Sequence, residues 1–527
     1  MNHIELFAGC GGLSLGLHVE NFELLLANEI SPMAAESFAF NFFNEDLFSL
    51  AEENKHPEKT LWLKSRYKDL TSRLRENPLS LLSEEETFYS DLPRDSEELR
   101  GKLLIGSIVD LNKAISKNNQ LKACLSSGFN SPRGLDLVSG GPPCQSFSMA
   151  GLRNKNCEKN ALPWEFAKFV SLTKPKIAML ENVSGILRAF KDERGYRYYA
   201  WYEVAKAFAV IGYVPICLHI NARLAGVAQN RPRFIMFAVR RDCFNKLLCT
   251  FCPNSASHKV LMLSNRFYQN ISEIGPSLEF GYLDYLDVSK SEHRSLFENS
   301  FLSPLVSGKP VSVREALDDL RFNSDKLPSD YINNLNSIFE WLPTREHIEN
   351  HDPRANKEIV RRRFRLYQIL QKINDRFVTK DIFSILKGKS SELGERTWEL
   401  CRSHELLMEN GQLSKLSSKK ALVSYLKAHT TKKQIQRALI ADKPAPAALS
   451  IPDDACHYDE AELRVLTVRE MARIQSFPDN FVFRSKVTTG GQMRKFQVPQ
   501  YTQVGNAVPP LLSIKLGECL STLLSKL

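Results

Sequence analysis

The sequence predicts an α/β fold in which a Rossmann-like, mostly parallel sheet carries helices on both faces. Over residues 1–240, short apolar runs alternate with segments of helical spacing, and glycine-rich turns follow several of the apolar runs. The length of 527 residues and the 43% share of hydrophobic residues suffice for this sheet and a second, smaller domain. The predicted strands are residues 3–7, 23–28, 102–108, 135–139, 177–180, 214–220 and 234–239.

Composition divides the chain into three zones. Residues 1–240 form the predicted sheet domain, and an acidic stretch at 45–98, with 14 acidic and 8 basic side chains, is expected to be an inserted helical appendage. Residues 241–463 have weaker strand signals and form the predicted second domain. Residues 464–527 return to α/β character, end in an amphipathic helix, and are expected to complete the first domain.

Positive charge is concentrated in the second zone. The net charge is +10, and residues 354–380 hold nine Lys or Arg against two acids, while residues 412–443 hold eight against one. Such runs are most often solvated helix faces. The other interpretation is nucleic-acid binding through phosphate neutralisation.

Targeting signals and metal motifs give no further assignment. The chain opens without a basic stretch followed by an apolar one, and its most apolar run, residues 208–218, contains Gly212 and Pro215, so a cytoplasmic protein is expected. Eleven scattered cysteines favour reduced thiols. No metal site is predicted, because the set Cys243, Cys249, Cys252 and His258 lacks a second tight pair.

A single cysteine stands in the loop after the fourth predicted strand. Residues 140–151 read Gly-Gly-Pro-Pro-Cys-Gln-Ser-Phe-Ser-Met-Ala-Gly, which neither continues a strand nor enters a helix at once. Cys144 is therefore expected at the carboxyl edge of the sheet, where ligands bind in such folds. Two interpretations remain: a presented nucleophile, or a buried and inert thiol.

The first predicted strand runs into a glycine-rich turn, Phe7-Ala-Gly-Cys-Gly-Gly-Leu-Ser-Leu-Gly16, that opens a helix. Glycines let the backbone approach a ligand and place a helix amino end beside it. The turn lacks Gly-x-Gly-x-x-Gly, which argues against a dinucleotide. A nucleoside cofactor, with Phe7 over the purine and Glu29 on the ribose hydroxyls, fits better.

Three further segments put polar side chains at the predicted crevice. Glu181 ends the fifth strand, where it could act beside a thiolate or simply cap the next turn. Arg231 and Arg233 are two residues apart on an extended segment, which suits an anion or carbonyl in the crevice, or a pair of surface cations. Asn506 lies in a turn entering the last helix, where it could bind a ligand.

Taken in this order, the segments resemble the cytosine-C5 DNA methyltransferases, of the type found in bacterial restriction–modification systems. The first and third zones carry the resemblance. Its six motifs are Phe7-Ala-Gly-Cys-Gly-Gly, Pro142-Pro143-Cys144-Gln145, Glu181-Asn182-Val183, Gln229-x-Arg231-x-Arg233, Arg464-x-Leu-Thr-x-Arg469-Glu470 and Gln503-x-Gly-Asn506.

The resemblance implies an S-adenosylmethionine-dependent methyltransferase sheet with a target-recognition domain at 241–463. Cys144 would attack C6 of a flipped-out cytosine, with Glu181, Arg231 and Arg233 as further catalytic residues. The implied contacts to S-adenosyl-L-methionine are Phe7, Gly9, Cys10, Gly11, Gly12, Leu13, Glu29, Ile30, Ser107, Ile108, Pro143, Leu162, Asn506 and Val508. The implied contacts to DNA are Gln145, Ser148, Gln229 and Arg469.

The resemblance also implies double-stranded DNA as substrate, a monomer, and a restriction endonuclease acting on the same site. Alternatives are an orphan enzyme, a C5 methyltransferase of RNA, and a DNA-binding protein that has lost turnover. Two positions depart from the family pattern. Gly106-Ser107-Ile108 stands where many members have Gly-Asp-Ile, which removes a carboxylate from the adenine amine, and Ile30 replaces a frequent aromatic residue.

Overall fold

The computed structural model describes residues 1–78, 88–143, 161–191, 197–322, 324–433, 437–447 and 449–527. The strands in these ranges are β1 (Asn2–Leu6), β2 (Glu23–Glu29), β3 (Thr60–Trp62), β4 (Lys102–Ile105), β5 (Leu137–Gly140), β6 (Ile177–Val183), β7 (Phe190–Lys191), β8 (Arg197–Tyr198), β9 (Tyr213–Asn221), β10 (Pro232–Arg240), β11 (Leu286–Asp287), β12 (Leu406–Leu407) and β13 (Leu413–Ser414).

The helices in the same ranges are α1 (Gly12–Val19), α2 (Pro32–Phe43), α3 (Leu47–Glu52), α4 (Leu70–Arg75), α5 (Ile108–Lys117), α6 (Asn119–Ser126), α7 (Leu162–Thr173), α8 (Ala200–Val210), α9 (Arg241–Thr250), α10 (Ala256–Ile274), α11 (Ser291–Glu298), α12 (Val313–Leu317), α13 (Asp330–Ile338), α14 (Glu358–Ile373), α15 (Arg376–Leu386), α16 (Glu395–Cys401), α17 (Lys419–Ala428), α18 (Val468–Ile474), α19 (Gln500–Asn506) and α20 (Pro510–Leu524).

One large sheet organises the molecule. Its order is β11-β9-β10-β6-β5-β1-β2-β4-β3, counted over the described ranges. The strands from β6 to β3 are parallel to one another, and β10 lies antiparallel between β6 and β9. All seven predicted strands are present in this sheet. The main difference is that the strand predicted at 102–108 ends at Ile105.

The topology gathers five loops at one edge. The chain order reverses between β1 and β5, which is the switch point where ligands bind in open α/β sheets. Because β1, β2, β4, β5 and β6 are parallel, their carboxyl ends share this edge. The antiparallel β10 brings its first residue, Pro232, to the same edge.

Helices cover both faces of the sheet, as predicted. On one face α5, α6, α7 and α8 bury apolar side chains such as Leu111, Phe169 and Phe208 against the strands. On the other face α1, α9 and α20 do the same, with Leu17 and Leu520 fully buried. The helical spacing of these apolar residues explains why each helix presents one face to the sheet.

The acidic insertion is not only helical, which corrects one prediction. Within residues 45–98, α3 and α4 flank β3, and β3 pairs in parallel with β4 at the edge of the main sheet. Trp62 of β3 is 2% exposed and packs with Leu70, Leu74 and Leu103. The insertion therefore extends the sheet and shares its core.

The main sheet and its core continue past residue 240. After it, β11 pairs with β9 of the main sheet, and α10 packs its Phe267 and Ile271 into the sheet's core. A separate helical core forms only later, from α14, α15 and α17, around Phe364, Ile382 and other buried side chains. Residues 241–306 therefore pack with the main sheet, and α14, α15 and α17 form a separate helical cluster.

None of the helices in the described ranges is by itself long and apolar enough to cross a membrane. The bent pair Gly491–Asn506 and Pro510–Leu524, at 67° to each other, passes that test by length and composition only.

Candidate active site

A buried ion pair lies at the carboxyl edge of β6. Glu181 is directly opposite Ile235 of β10, so Arg233, two residues away, projects from the same face. The Nε of Arg233 is 2.6 Å from Oε1 of Glu181, and the two side chains are 10% and 11% exposed. Burial lowers the pKa of Arg233, and the Glu181 carboxylate opposes that shift. The pair is therefore a charged, nearly water-free contact in the crevice.

The second oxygen of Glu181 faces the loop that follows β5. A Cβ added to Gly141 would lie 3.1 Å from Oε2 of Glu181. The neighbouring Asn182 donates from Nδ2 to the carbonyl oxygen of Pro142 at 2.9 Å. The start of this loop is thus held against the ion pair. Three predicted site residues farther along the loop, Cys144, Gln145 and Ser148, lie outside the described residues.

The glycine-rich turn after β1 is tied to the end of β2 by one carboxylate. Glu29 accepts from Gly9 N–H on Oε2 and from Ser31 N–H on Oε1, both at 2.8 Å. Burial raises the pKa of Glu29, while these two backbone hydrogen bonds act against that shift. Phe7 adopts a left-handed backbone with φ 55°, which turns the chain sharply out of β1. Glu29 therefore orders the turn and keeps its remaining lone pairs for other donors.

The turn leaves room for a ligand at the start of α1. In the described part of the chain, no atom lies within 4 Å of the position a Cβ on Gly9 would take. No side chain there caps the amino end of α1. A helix amino end of this kind favours a carboxylate or another anion. The half-buried Phe7 and Ile30 flank the same edge, so the residues present fit an amphipathic nucleoside ligand.

Other predicted cofactor residues act through their backbone or through packing. Cys10 is 2% exposed, burial raises its pKa to about 12, and its Sγ lies 3.9 Å from the carbonyl oxygen of Gln503. The side chain of Leu13 is buried in the core beneath the sheet. A Cβ on Gly11 would lie 2.4 Å from the ring of Phe42. The side chains of Cys10 and Leu13 therefore point away from the crevice, so only their backbone can meet a ligand there.

The remaining predicted cofactor residues are spread along the edge. Ser107 accepts from Val109 N–H at 3.1 Å and so caps α5, while Ile108 is 3% exposed. Leu162 is half-buried at the first turn of α7, and Pro143 is exposed. Ser107 is thus occupied as a helix cap.

Arg231 has a different place from the one predicted. Its Nη2 donates to the carbonyl oxygens of Gly505 at 2.6 Å and Ala507 at 3.0 Å. The residue is 2% exposed, and burial lowers its pKa well below the usual value, with Arg233 adding to that shift. Arg231 thus holds the turn between α19 and α20.

The turn that Arg231 holds brings the third zone to the glycine-rich loop. Asn506 is exposed in it, and Val508 is 8% exposed. A Cβ on Gly12 would lie only 2.4 Å from the carbonyl oxygen of Val508. The glycine at 12 therefore permits the close approach of α1 and this turn, and both sides of the predicted cofactor site meet here.

Two predicted DNA contacts are buried instead. Gln229 is fully buried and donates to the carbonyl oxygen of Pro446 at 3.0 Å. Arg469 is also fully buried, and its guanidinium donates to the carbonyl oxygens of Glu349, Pro478 and Phe481. Through these hydrogen bonds, both side chains connect distant segments of the chain.

The basic runs of the second zone are partly used inside the protein. In α14, Arg363 donates to the carbonyl oxygen of Thr430 at 3.1 Å, and Arg365 donates to that of Glu405 at 2.9 Å. Several other basic side chains of the two runs are exposed, among them Arg354, Lys357, Lys415, Lys420, Lys427 and Lys432.

Two asparagines that order the site were not predicted as site residues. Asn182 anchors the loop after β5, and Asn28 donates to the carbonyl oxygens of Leu104 at 2.9 Å and Gly106 at 3.0 Å. Each lies on a strand next to a predicted glutamate, Glu181 or Glu29. A polar residue in an otherwise apolar strand needs a hydrogen-bond partner. This rule is the sequence signal that could have identified both asparagines.

The described residues contain no cluster of three or more His, Cys, Asp or Glu that could hold a metal ion. The parallel sheet, its switch point and the tied glycine-rich turn define an α/β methyltransferase fold. The chain matches the C-5 cytosine-specific DNA methylase family over residues 1–62 and 112–521, and it belongs to that family. It is a DNA (cytosine-5-)-methyltransferase.

Curated relatives extend over nearly the whole chain. The type II methyltransferase M.DdeI of Desulfomicrobium norvegicum is 25% identical, over 99% of this chain and 88% of the relative. The type II methyltransferase M.Bpa9945I of Bacillus paralicheniformis is 25% identical, over 97% of this chain and 96% of the relative. The type II methyltransferase M1.HphI of Haemophilus parahaemolyticus is 23% identical, over 98% and 86%.

Proposed function

We propose that the protein transfers a methyl group from S-adenosylmethionine to C5 of a cytosine flipped out of a specific double-stranded DNA sequence. The observation that carries the proposal is the buried Glu181–Arg233 pair at 2.6 Å, beside the anchored start of the loop that contains Cys144. A cytosine inside a duplex is inaccessible to such a crevice, so the base must leave the stack.

In the proposed reaction, the thiolate of Cys144 adds to C6 of the cytosine, and the electron pair of the C5–C6 bond becomes available at C5. Glu181 holds N3 and the exocyclic amine, and Arg233 binds the O2 side, so both stabilise the attacked ring. S-Adenosylmethionine supplies an electrophilic methyl group. After transfer, loss of the C5 proton and expulsion of Cys144 restore the aromatic ring.

The cofactor would be held at the switch point. Glu29 receives the ribose hydroxyls, the backbone of Gly9 to Leu13 meets the amino-acid end, and Phe7 and Ile30 flank the adenine. Arg231 supports this by fixing the turn with Asn506 and Val508 against α1. The exposed lysines and arginines of the second domain would contact phosphates and fix the register on DNA.

The relatives bear the name of type II methyltransferases. We infer that this enzyme is likewise the modification half of a restriction–modification system and that a restriction endonuclease reads the same site. It would act in the bacterial cytoplasm. The alternatives are an orphan enzyme and methylation of RNA.

Bisulfite sequencing of DNA and RNA from cells that express the protein tests this function. Methylated cytosines in one DNA sequence context are expected. Methylation confined to RNA would establish the RNA alternative, and unmodified nucleic acid would contradict the proposal. Sequencing of the neighbouring gene for an endonuclease separates the orphan enzyme from the paired one.

The covalent step is tested by Cys144→Ser, with Cys249→Ser as the matched control, since Cys249 is exposed on α9. Cys144→Ser should abolish methyl transfer while DNA and cofactor binding persist, because a hydroxyl is a far weaker nucleophile than a thiolate. Cys249→Ser should behave as the wild type. Near-normal turnover of Cys144→Ser would disprove the covalent route.

A further inference from the structure

The insertion at 45–98 reaches the edge of the sheet where the cofactor is proposed to bind. Its strand β3 lies parallel to β4, so the loop after Trp62 emerges at the same carboxyl edge. Leu63 N–H donates to the carbonyl oxygen of Ile105 at 2.9 Å, which continues the pairing beyond the strand. The first residue of that loop is therefore fixed at the end of β4.

Leu63 lies directly against the turn that follows β4. A Cβ added to Gly106 would lie 2.7 Å from the Cβ of Leu63, closer than real side chains approach. Gly106 in turn donates its N–H to the carbonyl oxygen of Glu29 at 2.9 Å. Leu63, Gly106, Glu29 and Gly9 thus form a continuous line of contacts along one edge.

The adenine end of this edge lacks the usual polar group. Ser107 stands where the family often has an aspartate, and its oxygen caps α5. Asp91, the acidic residue next to β3, already accepts from Trp62 N–H at 3.0 Å and pairs with Arg73 at 2.6 Å. The Ser107 hydroxyl accepts one hydrogen bond and keeps its O–H donor, and the apolar surface beside it is supplied by Leu63.

We propose that Leu63 forms the outer wall of the adenine end of the cofactor site, so that the insertion supplies packing in place of a carboxylate hydrogen bond. This assignment rests on the proposed function. Leu63 and Gly106 both fall in residues 63–111, which the family match leaves uncovered. The insertion is then a cofactor-binding element of this chain.

Leu63→Ala tests the assignment, with Leu70→Ala as the matched control. Both leucines are buried in the insertion, at 7% and 5% exposure, but Leu70 packs on the far side with Trp62 and Leu74. Isothermal titration calorimetry with S-adenosylhomocysteine should show about a tenfold weaker Kd for Leu63→Ala. Leu70→Ala should stay within about twofold of the wild type, although both variants lose stability.

Two further measurements decide other outcomes. The loss of affinity caused by Leu63→Ala should be equal for 5′-deoxy-5′-methylthioadenosine, which shares the adenosine part and lacks the amino acid. Gly106→Ala should also weaken binding, because its methyl group displaces Leu63, and it serves if Leu63→Ala does not fold. Equal affinities of the Leu63 and Leu70 variants would overturn the assignment. A wild-type protein that binds neither ligand would overturn the proposed function itself.

Discussion

Two buried arginine–glutamate pairs occupy different parts of the molecule. Arg464 meets both oxygens of Glu470, at 2.7 and 2.8 Å, and Thr467 N–H adds a third hydrogen bond to that carboxylate. The closest contact of Arg233 with Glu181 is to Oε1, and no described residue donates a hydrogen bond to Oε2. The first pair is saturated inside the fold, and the second keeps an acceptor for something else.

This contrast distinguishes a buried carboxylate that stabilises the fold from one that can bind a substrate. A buried carboxylate with both oxygens hydrogen-bonded stabilises one conformation of the chain. A buried carboxylate with a spare oxygen in a crevice can bind a substrate without giving up an existing partner. Both glutamates are buried beside an arginine, and the difference that matters for binding is whether a carboxylate oxygen is left without a donor among the described residues. Replacing Glu by Gln at each site tests this distinction.

The largest effect is expected at the reactive pair. Glu181→Gln removes the charge that holds the attacked ring, so the single-turnover rate of methyl transfer should fall about 10²- to 10⁴-fold. The thermal midpoint should also fall, because Glu181 is the one carboxylate among the described residues that pairs with the buried Arg233. An unchanged transfer rate would show that Glu181 only caps the turn after β6.

The pair of Arg464 and Glu470 should lose stability but keep the reaction. Glu470→Gln removes one of the two carboxylates that Arg464 contacts, while Glu462 stays at 2.5 Å, so the free energy of unfolding should fall by about 1 to 3 kcal/mol. Urea unfolding at pH 7 measures this change in the free energy of unfolding. Below the unfolding transition, the folded variant should keep most of its transfer rate. A selective loss of transfer without a loss of stability would place Glu470 in the reaction.

A third buried carboxylate, that of Glu5, extends the comparison, because its hydrogen-bond partner is a hydroxyl group and not an arginine. Glu5 lies fully inside the sheet and accepts a hydrogen bond from Ser14, and burial raises its pKa to about 8, against the effect of that hydrogen bond. The folded state therefore holds a proton on Glu5 between the unfolded pKa near 4.5 and about 8. Stability from this group is present below that window and is lost as the pH rises through it.

Glu5→Gln should remove this dependence. Relative to the wild type, the free energy of unfolding of the variant should increase by at most about 1.4 kcal/mol per pH unit from pH 5 to 8. The difference should level off above about pH 8. Urea unfolding at several pH values measures the gain, with Glu52→Gln on the exposed end of α3 as control. For Glu470 burial favours a raised pKa, but Arg464 and His457 prevail and lower it, so its contribution is lost as the pH falls. A gain for Glu5→Gln that does not vary with pH would contradict the assignment.

Sequence patterns predicted the central strands because each is an apolar run with a turn behind it. They missed β3 and β11, which contain three and two residues and carry too little periodicity to recognise. The insertion was therefore expected to be helical. The pairing of β3 with β4, which brings Leu63 to Gly106, was not predicted. Pairing at the sheet edge depends on partners far away in the chain.

The candidate site was predicted in part. The place of Glu181 and Arg233 follows from strand ends and from alternation along β10, and the structure brings the two together. The partners of Arg231 and Arg469 could not be derived, since a motif does not reveal whether a guanidinium meets DNA or backbone carbonyls. Arg231 bonds to residues more than 270 positions later in the chain.

That long-range bond has a consequence for the synthesis of the protein. The crevice needs the turn held by Arg231 and packed on Gly12, and this turn leaves the ribosome only after residue 508 has been added. At about 5 to 20 residues per second, the stretch between Gly12 and Val508 takes roughly half a minute to under two minutes to synthesise. The sheet can begin to fold early, but the nascent chain has to wait for its last segment before the glycine-rich turn gains its second wall.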